Sequence, residues 1–164
     1  MQNTVRDVDV ETTYRERLSP SLWVLASAAV AGPMAALVLA PVDRTLALIG
    51  GAGVGVALIA ILVLSSPVIE ITGGRLRAGR ARIEVEWLGA PRILFGDEAR
   101  DARGVALDPR SWHVIRGGID PIAVIPILDP DDPAPSWVLS SRTPDRLAAA
   151  VRRAQAATRS TPRR

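Results

Sequence analysis

Hydrophobic and polar positions fall into two regimes along this chain. Between Leu18 and Ile69 the only charged residues are Asp43 and Arg44. Leu18 to Val42 is one uncharged run, and Thr45 to Ile69 is another. A helix of about 25 residues, the length of either run, extends ~37 Å, against ~30 Å of bilayer hydrocarbon. The pattern predicts a two-helix transmembrane hairpin over residues 22–64, with helices at 22–40 and 45–64 and a tight link at Pro41–Arg44. Pro33 removes a backbone hydrogen bond inside the first helix and predicts a kink, which membranes tolerate.

Beyond Ser66 and Pro67 the period falls to two. Ile69 and Ile71 alternate with Glu70 and Thr72, Gly73-Gly74 is a hairpin turn, and Leu76 and Ala78 alternate with Arg75 and Arg77. Ile83, Val85 and Trp87 then share a face opposite Arg82, Glu84 and Glu86. Alternation of this kind predicts half-buried antiparallel strands. Further strands are expected at 92–95, 112–115, 122–128 and 136–140, with Pro126 marking an edge or a bulge. Thr143, Pro144 and Asp145 open a closing helix, 144–157, whose Leu147, Ala150, Val151 and Ala154 share one face.

The predicted fold class is therefore a membrane α-helical hairpin plus an α+β soluble domain of about seven antiparallel strands and a C-terminal helix. That element order resembles a pleckstrin-homology-like domain. Residues 1–21 are expected to be a cytoplasmic segment, 66–157 the β-rich cytoplasmic domain, and 158–164 a disordered tail.

Glycines in "LIGGAGVGVALIAILVL", residues 48–64, superficially suggest a phosphate-cradling loop. Such a loop needs a preceding strand, polar surroundings and usually Lys with Ser or Thr, and none is here. Gly51 and Gly55 instead stack on one helix face, where small side chains let a second backbone approach. Ala28, Ala31 or Gly32, and Ala35 form the expected partner face; whether this packing is within one chain or between chains stays open.

Charge sets orientation. Arg6, Arg15 and Arg17 precede the first helix and Arg75, Arg77, Arg80 and Arg82 follow the second, while only Arg44 lies in the link. The positive-inside rule then places both termini in the cytoplasm of a multi-pass cell-membrane protein. The chain has no cysteine, which excludes disulfides and thiolate chemistry. From Ser65 onward arginines exceed acids only mildly and the signs are mixed, so nucleic acid is not an expected partner. Neither apolar run holds an acid, base or histidine, which disfavours transport.

Candidate chemistry is sparse. Asp129, Asp131 and Asp132 could ligate a hard cation, but a solvated loop stiffened by three prolines is the simpler reading, and neither a metal nor a cofactor is expected. His113 lacks partners for a triad or zinc site. Trp87, Trp112 and Trp137 read as core residues. Ser140, Ser141 and Arg142 precede the closing helix, where backbone N–H groups could hold an anion; they are the leading ligand or partner contact. Arg75, Arg77, Arg80 and Arg82 are candidates for anionic lipid.

Two stretches carry a family resemblance. "YRERL", Tyr14 to Leu18, precedes the first apolar run, and "DPDDPAPSWVLSSRTP" contains Trp137, Ser140, Ser141, Arg142 and Pro144. With "IEITGGRLRAG" between them, nearly the whole chain resembles the membrane proteins of GC-rich Gram-positive bacteria known as domain of unknown function 3093. Ser136 stands where that family often has an aromatic. The resemblance implies a membrane protein and supplies no catalytic residues. The expected role is a membrane-anchored binding or scaffolding module at the inner leaflet, not an enzyme. The alternative is a small subunit of a larger membrane protein complex, with Gly51 and Gly55 making intermolecular helix contacts; an unrecognised enzyme comes third, and the expected partners are the lipid bilayer and a protein partner or a second copy.

Overall fold

The computed structural model describes residues 12–160. They divide into two compact units, one of residues 17–67 with 116–119 and one of the remaining described residues.

The first unit is a helical hairpin, α1 (Leu22–Leu39) and α2 (Arg44–Leu64). At 1.5 Å per residue these helices are about 27 and 31 Å long, and both are apolar enough to cross a membrane. Each starts on a side-chain cap: Ser21 Oγ accepts from Val24 N, and Asp43 Oδ1 accepts from Leu46 N at 2.8 Å. The charge at Asp43 thus satisfies a helix start that the link would leave open. α1 runs through Pro33 unbroken. At the far end of α2, Arg17 donates to Val63 O (2.6 Å) and Arg116 to Leu62 O (3.4 Å), cations beside last-turn carbonyls where the helix dipole is negative.

Gly32, Ala47, Gly51 and Gly55 are the buried positions of the hairpin. A Cβ added at Gly51 would lie 2.6 Å from both Ala36 Cβ and Gly32 O, and one at Gly55 would lie 3.4 Å from Gly32 Cα. The small residues therefore serve α1–α2 packing within the chain. Gly32 was among the expected partners; Ala36 takes the place given to Ala35. Outward-facing side chains are large and apolar, with Leu22, Trp23 and Val38 each more than three-quarters exposed.

The second unit holds eight strands in two sheets. One sheet has the order β1-β2-β3-β4, from β1 (Thr12–Arg17), β2 (Val68–Thr72), β3 (Arg75–Ala78) and β4 (Ala81–Glu84). The other runs β5-β7-β8-β6, from β5 (Arg92–Leu94), β6 (Trp112–Val114), β7 (Ile122–Pro126) and β8 (Ser136–Ser140). α3 (Gly96–Ala102) follows β5, and α4 (Pro144–Ser160) closes the chain, packing on β2, β5 and β7. Ile69, Ile71, Leu76, Ile125, Leu139, Leu147 and Val151 are fully buried. The β2–β3 turn needs its two glycines, whose φ angles of 56° and 74° lie in the left-handed region.

Several expectations change. Of the segment expected at 1–21, residues 12–16 belong to the sheet unit and β1 lies beside β2, while residues 1–11, with Arg6, lie outside the described ones. The hairpin is thus inserted between two neighbouring strands. The strand expected through Trp87 ends at Glu84; residues 85–87 form a 3-10 turn, which buries Val85 and Leu88 and leaves Trp87 39% exposed, outside the core. Not all pairing is antiparallel, because β6 runs parallel to β8. Pro126 is not on an edge strand; it ends the interior strand β7, and its carbonyl accepts from Gly89 N at 2.8 Å. α4 extends through residues 158–160, which were expected to be tail, and residues 161–164 lie outside the described ones.

Candidate functional site

The two sequence boxes meet at the start of α4. Along β1, Tyr14 and Glu16 turn inward while Thr13 and Arg15 face solvent. Glu16 Oε1 accepts from Arg142 N at 2.7 Å, and its Oε2 accepts from Ser141 Oγ at 2.6 Å and from Tyr14 Oη at 2.5 Å. Tyr14 Oη also lies 3.1 Å from Thr143 Oγ1 and 3.3 Å from Ser141 Oγ. Ser141 Oγ in turn accepts from Thr143 N at 3.1 Å. Burial and the neighbouring Glu16 carboxylate hold the Tyr14 phenol above its ordinary value of 10.0, so it stays a neutral donor.

Ser140, Ser141 and Arg142 were the leading ligand contact. Ser140 and Ser141 are fully buried, and Arg142 is exposed. An anion does sit on the Arg142 N–H ahead of α4, and it is the chain's own Glu16 carboxylate. This arrangement clamps β1 to the opening of the last helix. The physical demand is clear: a buried hydroxyl and a backbone N–H need an acceptor, and a carboxylate near a helix start also meets a favourable dipole.

The arginines proposed for lipid do not act as one group. Arg75 faces Glu84 across β3–β4 at 3.4 Å, and Arg77 pairs in register with Arg82 on the same exposed face. Arg80 leaves that face and lies 5.4 Å over the Trp112 ring. Trp112 Nε1 donates to Ala78 O at 3.1 Å, and its ring packs obliquely on Trp137, which is buried. His113 stands exposed on β6, with Nδ1 3.2 Å from Ser111 O. In the acidic loop, Asp129 Oδ1 accepts from Asp131 N and Asp132 Oδ1 from Ala134 N, so two of the three carboxylates brace turns. Among the described residues no group of His, Cys, Asp and Glu is arranged to hold a metal.

Residues 13–151 match the sequence profile of a family described as "Protein of unknown function (DUF3093)". The chain belongs to that family. The matched span starts within β1 and ends within α4, so both halves of the Glu16 clamp lie inside what defines this DUF3093 protein. No curated protein and no solved structure matches the chain.

Sequence reasoning missed three parts of this region. β1 carries no apolar alternation; its inward residues are Tyr and Glu, and the only trace was arginine at every second position, Arg15 and Arg17. α3 was passed over, although Asp97 and Glu98 at its start are ordinary helix-opening acids. Asp120, followed by Pro121, reads in the sequence only as loop punctuation. It accepts from Gly96 N (3.0 Å) and Arg103 Nη2 (3.1 Å), and so ties both ends of α3. Those two donors pull its carboxyl below the ordinary 3.8.

Proposed function

We infer that this DUF3093 protein is a membrane-anchored binding or scaffolding module with no catalytic centre of its own. The observation that carries the reading is the insertion of an apolar hairpin between two neighbouring strands, β1 and β2. Two spans return the chain to the side from which it left, so β1 and β2 can pair only if both ends of the hairpin lie on one face of the bilayer. Arg15, Arg17, Arg75, Arg77 and Arg82 near those ends favour the cytoplasmic face. The β-rich unit is then held at the inner leaflet of the cell membrane, with both termini inside.

Two four-stranded sheets closed by a C-terminal helix support a pleckstrin-homology-like architecture for that unit, with the parallel β6–β8 pair as a departure. The alternative, a subunit joined to other membrane proteins through Gly51 and Gly55, has less support, because both glycines face Gly32 of the same chain.

Labelling with a membrane-impermeant thiol reagent tests the reading, since the chain has no cysteine. Ser160→Cys should stay unlabelled in intact cells and react after lysis. Val42→Cys, in the α1–α2 link, should react in intact cells. Labelling of Ser160→Cys before lysis, or protection of both sites, would overturn the anchored inner-leaflet placement.

A further inference from the structure

The β5-β7-β8-β6 sheet carries a second, smaller cluster on the face that α3 covers. Ala99, Ile122 and Val138 are buried there, with Leu94, Ala102, Leu107 and Val124 packed around them. Register sets Arg92 opposite Val124, Val124 opposite Val138, and Val138 opposite His113. Adjacent strands are ~4.8 Å apart, so this row puts a cation at the edge strand β5 and two valines beside it as an apolar floor. Beside α3 the cover is incomplete and leaves a cavity of about 400 Å³. Ligand pockets begin at ~300 Å³ and pair an apolar lining with a few polar groups.

The polar groups around this cavity are of three kinds. Arg92 lies on β5, and Glu98 and Asp101 lie on α3. None of these three side chains has an ionic or hydrogen-bond partner among the described residues. Asp108 also lines the cavity, but Arg110 neutralises it at 3.1 Å. The third kind is a hydroxyl pair: Ser111, 5% exposed, and Ser136, with their oxygens 2.9 Å apart. Two hydroxyls bring two hydrogens and one mutual bond spends only one, so the pair keeps a donor for a guest. A purely acidic patch would lack both Arg92 and this donor.

The geometry points to a binding site for a small zwitterion whose ammonium and carboxylate are separated by an apolar spacer, the chemistry of an ω-amino acid. The carboxylate meets Arg92, the ammonium meets Glu98 and Asp101, and the spacer covers Val124 and Val138. Charge-assisted bonds at both ends give orientation, and the valines exclude water between them. This deepens the binding-module reading by naming the ligand class; the cysteine-labelling result stands or falls independently of it.

The test uses the full chain in detergent micelles and titration calorimetry with 6-aminohexanoate. Two companions each remove one charge: 6-acetamidohexanoate lacks the cation and 6-aminohexanamide lacks the anion. Each should bind several-fold more weakly than the parent, since a charged contact to an exposed side chain is worth up to about fivefold. In Glu98→Gln/Asp101→Asn, the acetylated probe should bind as well as the parent. In Arg92→Gln, the amide probe should bind as well as the parent. These side chains are exposed, and unchanged unfolding midpoints show that the variants are folded. The proposal falls if the parent does not bind, if the companions bind equally well, or if neither variant changes the ranking.

Discussion

Replacing Glu16 should unfasten β1 from α4. Its carboxylate receives donors from Tyr14, Ser141 and Arg142, all within 2.7 Å. A hydrogen bond to a charged group contributes ~1.5–3 kcal/mol, and a carboxylate near a helix start adds ~0.3–1 kcal/mol. Tyr14 keeps Ser141 and Thr143 as other partners, so only the bonds from Ser141 and Arg142 are fully lost. Glu16 is also only half-buried, which puts each bond at the low end of its range. Glu16→Ala should therefore cost about 3 kcal/mol, and Glu16→Gln, which keeps an acceptor, about half as much. The assay is chemical unfolding of the full chain in detergent micelles, followed by tryptophan fluorescence. Glu84→Ala is the control, because it removes only an exposed ion pair and should cost ~0–0.5 kcal/mol. A double-mutant cycle with Ser141→Ala should show a coupling of ~1 kcal/mol or more. The reasoning is refuted if Glu16→Ala costs no more than the control, or if the two substitutions simply add.

Three further outcomes follow from other contacts. Gly51→Leu should force α1 and α2 apart, because even its Cβ would lie 2.6 Å from the backbone of Gly32; an overpacking loss of ~1–3 kcal/mol is expected, read as a lower thermal midpoint in micelles. Gly53→Ala, with nothing within 4 Å, should leave that midpoint unchanged or raise it, because Ala favours a helix over Gly, and a fall equal to that of Gly51→Leu would remove the packing argument. Asp120 has a depressed pKa, so its hold on α3 is fully present above the ordinary 3.8 and is lost as pH falls through the lower folded value. Amide exchange over residues 96–102, corrected for intrinsic rates, should rise in that acid window, and Asp120→Asn should show faster exchange already at neutral pH. Tyr14 has a raised pKa, so its contribution is complete below the ordinary 10.0 and is lost as pH rises toward the higher folded value. Tyr14→Phe should flatten this alkaline decline in stability, and an unchanged profile would count against a buried, neutral phenol.

Sequence alone determined the elements whose burial is periodic and local. The two apolar runs became α1 and α2 within a residue of their expected bounds, because an uncharged helix of that length needs no knowledge of its neighbours to be read. Ile69 and Ile71, then Leu76 and Ala78, alternated as β2 and β3, and Leu147, Ala150, Val151 and Ala154 marked the inner face of α4. Gly51 and Gly55 were legible as a packing face and Gly32 stood among the expected partners, but packing within one chain rather than between chains was not legible, since four-residue spacing fixes a stripe on one helix and says nothing of which chain crosses it. Only the tertiary structure made β1 a strand. Its inward residues are polar and are satisfied by Ser141 and Arg142, some 125 residues away, so no local hydrophobic period records them. The same reason hid Asp120 at the ends of α3, and it hid the slot where Arg92, Glu98 and Ser111 converge. Apolar burial leaves its period in the sequence, whereas a polar contact depends on a partner that the chain's path alone brings near.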